Sequence, residues 1–373
     1  MSDLTLVEQL PEKFFDETSA SYLATLESAF YDKRLSGTSS SVSNYEQKLK
    51  LWFGTEYALP VASGSAAILL ALYACGVQKG DKVVVSALAP IPSLLPILQL
   101  GAEPLFVDVE IGSFRFDIED LKKAIELKPK ALLAVALWGY PVLTRELIDL
   151  LANNEISLLE DSAHAHGSIE LGKFSGTVGS IGCFSTHDNK LLSTGEGGFV
   201  LTNTADLYER MKTYSHLGYC RGDEMGFNFK LGAPQALLGQ DRLTRLGNQV
   251  AARKKVADAF LAQLSLPAIV APIEFEATSH PNFYNLGFFI KAERACAANF
   301  ISYCHERGMP SNAIKYNIKP SYAYPLFSNY LRLCKNAEFM AYNITSIPCL
   351  PELTDPQISA ASELFNKAVS KFL

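Results

Sequence analysis

The sequence predicts an α/β fold: a mostly parallel central sheet flanked by helices, plus a smaller C-terminal α+β domain. Three observations carry this. Short apolar runs recur between residues 58 and 202. Helix-length segments separate most of them. After about residue 266 proline becomes denser and the pattern changes.

The chain starts with polar, helix-like sequence and a serine-rich loop at Gly37–Ser43. The apolar runs follow: Ala58–Ala62, Lys82–Val85, Pro104–Val109, Ala131–Leu137, Ile156–Leu159, Ile181–Ser185 and Phe199–Thr202. Short runs that are apolar nearly throughout read as strands buried on both faces. Helical stretches between them imply crossover connections, because parallel neighbours cannot be joined by a tight turn. The last runs lie closer together, so a mixed sheet is expected near one edge. From about residue 232 to 265, apolar residues recur at helical spacing with basic residues on the other face. This reads as one long helix, kinked at Gly247. Beyond it, Asn285–Ile290 reads as a strand, and Ala292–Arg307 and Pro356–Phe372 read as helices. The expected division is a large domain over residues 1–250, with the N-terminal segment, and a small domain over 251–373.

With 373 residues, 48% hydrophobic and 19% charged, the chain can bury a sizeable core. A net charge of −6 without a basic block speaks against nucleic acid as a partner. The seven cysteines are odd in number and form no C-x-x-C pair. That argues against a zinc ribbon, an iron–sulfur motif or a disulfide framework, and no metal is expected. Free thiols fit a cytoplasmic setting. The N-terminal MSDLTLVEQLPEKFFDE is acidic and amphipathic, unlike a signal peptide. The most apolar stretch, Ala87–Ala102, is broken by Pro90, Pro92 and Pro96, so no membrane span is expected.

Four segments carry candidate chemistry. Ser63-Gly64-Ser65-Ala66-Ala67 lies between a predicted strand and a helix. It is either an ordinary N-cap or a phosphate cradle on free helix N–H groups. Glu160-Asp161-Ser162-Ala163-His164-Ala165-His166-Gly167 follows a buried run, where acids point into the ligand crevice of a parallel sheet. Asp161 could hold a protonated ring nitrogen, with His164 on the same ligand. A metal held by Asp161, His164 and His166, or a polar strand end with one satisfied histidine, are the rival readings. Phe184-Ser185-Thr186-His187-Asp188-Asn189-Lys190 precedes Gly195-Glu196-Gly197-Gly198. Lys190 there is either a solvated charge or an amine of lowered pKa suited to Schiff-base formation. The fourth, Gly226-Phe227-Asn228-Phe229-Lys230-Leu231-Gly232, has no function assignable from physics alone.

Together these segments resemble the DegT/DnrJ/EryC1/StrS family of PLP-dependent sugar aminotransferases, in register from about residue 35 to about residue 355. S-G-S-A-A is similar to the family's S-G-T-A-A. E-D-S-A-H-A-H-G is similar to E-D-A-A-Q/H-A-x-G, and F-S-T-H-D-N-K-L-L-S-T-G-E-G-G to F-S-F-H-P-T-K-N-L-T-T-G-E-G-G. Gly80–Val109, ending in GAEPLFVDV, resembles the next strand–helix–strand unit, and G-F-N-F-K-L resembles G-Y-N-Y-R-M.

The resemblance implies the PLP-dependent transferase fold type I, aspartate-aminotransferase-like, and pyridoxal 5'-phosphate as cofactor. It implies that Lys190 binds the cofactor as a Schiff base and that Asp161 pairs with the pyridine nitrogen. His164 falls beside the ring hydroxyl; Gly64, Ser65 and Ser185 fall on the phosphate. Asn228 matches an asparagine that reaches the neighbouring subunit's site, which implies a homodimer with shared active sites. The implied partners are an amino-acid donor, glutamate or glutamine, and a keto-sugar acceptor, nucleotide-linked in many members. A dehydratase relative replaces the lysine with histidine, and Lys190 argues against that activity. Cyclitol aminotransferases, aminohydroxybenzoate synthases and non-catalytic PLP-binding regulators share the scaffold and stay open. Three departures stand out: Pro90 where members carry an aromatic residue that stacks on the ring, Lys230 for arginine, and Pro325-Leu326-Phe327 for P-L-H. The last two are expected to touch substrate.

Overall fold

All seven apolar runs become strands of one sheet, because each is apolar enough to be covered on both faces. In the computed structural model, which describes residues 19–31 and 34–373, these strands are β1 Tyr57–Val61, β2 Lys82–Ser86, β3 Glu103–Val107, β4 Ala131–Val135, β5 Ser157–Asp161, β6 Ile181–Ser185 and β7 Gly198–Thr202. Residues 1–18, the start of the N-terminal segment assigned to the large domain, lie outside the described residues. The spatial order is β1-β7-β6-β5-β4-β2-β3. From β3 to β6 every neighbour is parallel. β7 runs antiparallel to both β6 and β1. Residues 186–197 hold no helix, so the chain cannot cross over after β6 and must turn back beside it. The mixed edge expected from the close spacing of the last runs is this reversal.

Helices α1 Ser19–Tyr31, α2 Ser40–Phe53, α3 Gly64–Ala74, α4 Ile91–Gln99, α5 Ile118–Ile125, α6 Arg145–Asn153 and α7 Ala205–Ser215 belong to this part of the chain. In α3, every residue from Ala66 to Leu72 is buried. A helix that is apolar all round must be enclosed, and α3 is packed among β6, β7, α4 and α7.

The single long helix expected over 232–265 is two: α8 Ala233–Leu243 and α9 Leu246–Gln263. The break falls at Thr244–Arg245 and not at Gly247, which lies inside α9. The Thr244 hydroxyl donates to the Asp241 carbonyl at 2.6 Å, and Arg245 N–H reaches Arg242 O at 3.0 Å, a tighter turn than the α-helix allows. Asp241 also holds the Arg245 guanidinium at 2.5 Å.

A second apolar core gathers around β8 Val270–Pro272, β9 Asn285–Ile290 and β10 Ile344–Pro348, an antiparallel sheet in the order β8-β9-β10. Phe260 of α9, Phe300 of α10 Arg294–His305 and Phe365 of α13 Asp355–Phe372 pack with Phe288 of β9. The short α11 Asn312–Lys315 and α12 Lys335–Asn343 complete the α-helices among the described residues. Residues between them return to the first core, where Tyr322 and Phe327 close on Phe106. Ser321 Oγ sits 2.8 Å from both the Ala87 and Ala89 carbonyls, tying this return to the loop after β2. Among the described residues no helix is long and apolar enough to cross a membrane.

Phe184 of β6 stacks on Phe199 of β7 with ring centroids 4.5 Å apart and meets Phe53 at 5.1 Å. Phe184→Ala is expected to destabilise the fold by about 3–5 kcal/mol, read by urea unfolding. A loss below about 1 kcal/mol would show that this aromatic cluster does not anchor the reversed strand.

Candidate active site

Strand direction decides where the polar residues gather. β5 ends at Asp161 and β6 ends at Ser185, so both side chains arrive at the carboxyl edge of the sheet, where parallel sheets place their ligands. β1 points the same way and leads into α3 through Ser63 and Gly64. The Ser63 hydroxyl accepts the Ala66 N–H at 3.1 Å, so the N-cap reading is met. The N–H groups of Gly64 and Ser65 still have no acceptor within the helix. Gly64 has a reason of its own. A Cβ there would lie 2.8 Å from the Ser185 Cβ, so only glycine lets α3 start this close to the end of β6.

A cavity of about 540 Å³ opens between these ends. Of the seven expected site residues, Gly64, Ser65, Asp161, His164, Ser185 and Lys190 line it together. Asn228 does not. It is exposed, bridges His216, and its side-chain oxygen accepts the Lys230 N–H at 3.4 Å.

Glu160 and Asp161 are consecutive, so the pleat sends them to opposite faces. Glu160 faces away and accepts the N–H groups of Gly176, Val178 and Gly179 at 2.6–2.8 Å, fixing a loop. Asp161 faces the cavity. Ser93 Oγ donates to Oδ2 at 2.5 Å and the Ala163 N–H to Oδ1 at 3.1 Å. Burial pushes the Asp161 carboxyl above its ordinary value, opposed by these two donors and by Lys190.

Lys190 sits in the loop that returns from β6 to β7. The neck of that loop is closed by Thr186 N–H on Gly197 O at 2.9 Å, Thr194 N–H on Thr186 O at 2.7 Å, and the two threonine hydroxyls at 2.6 Å from each other. Gly197 has φ +149°, and a Cβ there would come within 2.5 Å of Thr186 Oγ1. The Lys190 N–H bonds the His187 carbonyl at 2.9 Å, and Nζ lies 5.6 Å from the centre of the Tyr284 ring. Burial pushes the amine down from 10.5 to about 8, and Asp161 works against that shift.

His164 Nδ1 accepts the Trp138 N–H at 3.3 Å, which leaves the ring proton of the neutral form on Nε2. Its ring lies on Tyr284 at 4.7 Å and 7°. Burial, with Lys190 and His166 adding to it, holds its pKa well below the ordinary value. His166 turns the other way, toward Phe184 and Phe199. Asp161, His164 and His166 therefore do not converge, and the metal reading fails on geometry. Among the described residues, no group of three or more His, Cys, Asp or Glu stands close enough to hold a metal ion.

The two departures expected to touch substrate lie elsewhere. Phe327 is fully buried against Phe106, because the turn after Ser321 folds it onto the sheet. Lys230 pairs with Val61 as a β-bridge and lies beside Gly37, outside the cavity lining. Pro90 does line the cavity, along with Leu88, Ala89 and Ile91, so this wall is aliphatic. The sequence reading missed Ser93, Trp138, Tyr284 and Lys319 in the lining. Trp138 stands just past the run that forms β4 and Tyr284 just ahead of the run at Asn285–Ile290, yet neither run marked them as site residues.

Comparison with known proteins gives the family and the fold. The DegT/DnrJ/EryC1/StrS aminotransferase family model matches residues 18–364. GDP-perosamine synthase of Escherichia coli O157:H7 is 28% identical over 343 residues, covering 89% of this chain and 92% of the relative. The crystal structure of 3-amino-5-hydroxybenzoic acid synthase superposes with a TM-score of 0.88 at 24% identity, over 98% of this chain and 100% of that one. Spr1654 from Streptococcus pneumoniae, solved in a PLP form, gives 0.86 at 22% identity, over 98% and 100%. The fold is that of these aminotransferases: PLP-dependent transferase fold type I.

The lowered amine gives a direct prediction. Competitive acylation followed against pH, with peptides mapped by mass spectrometry, is expected to show Lys190 titrating near 8 in the cofactor-free protein. Asp161→Asn removes the charge that favours the ammonium, so the midpoint should fall further. A midpoint at the ordinary 10.5 would contradict the burial of this amine.

Proposed function

The chain belongs to the DegT/DnrJ/EryC1/StrS aminotransferase family, and on that premise we propose that it transfers an amino group from L-glutamate or L-glutamine to a keto-sugar, nucleotide-linked, with Lys190 carrying pyridoxal phosphate. The observation that carries the reading is that a half-buried amine, Lys190, and a buried carboxylate, Asp161, share one cavity with the start of α3.

The donor set fits this cofactor group by group. Lys190 is an amine with a neutral form accessible near physiological pH. Asp161 is a carboxylate fixed by Ser93 and Ala163, suited to a protonated ring nitrogen. The N–H groups of Gly64 and Ser65, the helix dipole of α3 and the Ser185 hydroxyl suit a phosphate. The cavity, at about 540 Å³, has room for a molecule of this size.

When bound, pyridoxal phosphate supplies an aldehyde that condenses with amines and a ring that takes up the electron pair released at the substrate carbon. The protein's residues supply the rest. Asp161 would hold a proton on the ring nitrogen, which would keep the ring electron-poor. His164 Nε2–H is the donor available to the ring hydroxyl. With the cofactor held here, neutral Lys190 Nζ would accept the proton lost from the donor's α-carbon and deliver it to the cofactor's former aldehyde carbon, a role that contributes roughly 10²–10⁴-fold in rate. Its lowered pKa suits both halves of that exchange. The aliphatic wall of Leu88, Ala89 and Pro90 keeps water from the reacting face.

Asn228 supports a shared site. It lies on an exposed segment with Met225 and Phe227, both large apolar side chains facing outward. An apolar segment of this kind suits a second copy of the chain, and Asn228 would then reach the partner's phosphate site.

Two experiments test the reading. The purified protein loaded with pyridoxal phosphate is expected to show a visible band that depends on Lys190 and disappears on adding L-glutamate or L-glutamine. Lys190→Ala should lack the band, and Asp161→Asn should keep it while losing most of the donor response. A Lys190-dependent band that no amino donor moves would indicate a cofactor-binding regulator. For the dimer, Lys190→Ala and Asn228→Ala are mixed and reassembled. Shared sites predict that activity recovers above either parent, because one site in the mixed dimer is intact. No recovery in a proven mixed dimer would place Asn228 outside the partner's site.

A further inference from the structure

Pro281–Tyr284 enters the site from the far end of the chain, just ahead of β9. Asn282 in it is fully buried and engages all of its side-chain hydrogen-bonding atoms. Its side-chain N–H groups donate to the His164 carbonyl at 2.8 Å and the His166 carbonyl at 3.0 Å. Its side-chain oxygen accepts the Tyr284 N–H at 2.9 Å. Its own N–H donates to the Ser168 hydroxyl at 3.0 Å. Ser168 in turn donates to the Gly139 carbonyl at 2.8 Å, next to Trp138, whose N–H holds His164 Nδ1.

We propose that Asn282 is a positioning residue: it fixes the His164 ring flat against Tyr284 and so aims the Nε2–H of His164 at the ring oxygen of pyridoxal phosphate. The proposal rests on the cavity being the cofactor site, and it gives roles to Asn282 and Tyr284, for which none was expected.

The geometry explains why one side chain can do this. His164 and Tyr284 lie 120 residues apart in sequence, yet their rings are parallel within 7°. Two rings can keep that relation only if both backbones are held together. Asn282 holds one through two N–H groups and the other through its oxygen. The packing around it leaves no slack. Gly139 has φ +83°, and a Cβ there would come within 2.0 Å of Asn282 Oδ1. Aspartate in this position would set carboxylate oxygens against two carbonyl oxygens, so the amide itself is needed.

The test is Asn282→Ala, read first on His164 in the cofactor-free protein. Nitrogen NMR of the ring is expected to show one neutral tautomer in the wild type, protonated on Nε2, and a mixture in the variant. In the loaded protein, Asn282→Ala should bind pyridoxal phosphate about tenfold more weakly and shift the maximum of the Lys190-dependent band. Tyr284→Leu removes the ring face but leaves the Asn282 bonds, which reach only the Tyr284 backbone. It should shift the band in the same direction, and it decides the matter if Asn282→Ala does not fold. A lowered melting temperature in Asn282→Ala, with tautomer, affinity and band unchanged in both variants, would overturn the proposal. If the wild type itself shows no Lys190-dependent band, the functional reading fails instead, and the tautomer measurement still decides Asn282.

Discussion

The Lys190 amine, from the loop after β6, and the Asp161 carboxylate, from the end of the neighbouring parallel strand β5, face one cavity, the amine half-buried and the carboxylate buried. Desolvation drives the two groups toward neutrality, the amine downward and the carboxyl upward, while their mutual attraction opposes both shifts. The result is an amine within reach of its neutral form beside a carboxylate that Ser93 and Ala163 hold in place. Such an arrangement is costly to fold around. It needs a rigid frame on every side, and much of the surrounding structure supplies that frame.

The frame is built from close approaches. Gly64 lets α3 begin against Ser185, and Gly197 lets the Lys190 loop close its neck on two buried threonines. The antiparallel return of β7 exists because the loop bearing Lys190 holds no helix. Topology and chemistry are thus set by the same residues. The C-terminal part of the chain completes the cavity from the other side, through the Ser321 contacts to the loop after β2 and through Tyr284 over His164 and Lys190.

The sheet was legible in the sequence because each strand is buried on both faces and reads as an unbroken apolar run. The residues of the sheet edge were legible for a related reason: Asp161 lies just past one such run, Ser185 ends another, and Lys190 stands in the loop that follows it. The contributions of Ser93, Tyr284 and Asn282 were not. Ser93 sits in an apolar, proline-broken stretch, where a lone serine carries no signal. Tyr284 and Asn282 act across more than a hundred residues through backbone bonds that no local pattern encodes. Gly247 misled for a physical reason. A helical glycine with open space beside it is tolerated, whereas the Thr244 hydroxyl, by capping the Asp241 carbonyl, ended the helix. Phe327 was not legible either, since a sequence match does not fix that its side chain turns onto Phe106.

The central claim is that Lys190, and no other lysine, carries the cofactor in this cavity. Borohydride reduction of the pyridoxal-phosphate-loaded protein, followed by proteolysis and mass spectrometry, tests it without knowledge of the acceptor. The account predicts that the cofactor's mass is found on the peptide containing Lys190 and is lost in Lys190→Ala. Attachment at a different lysine, or no attachment at all, would contradict it.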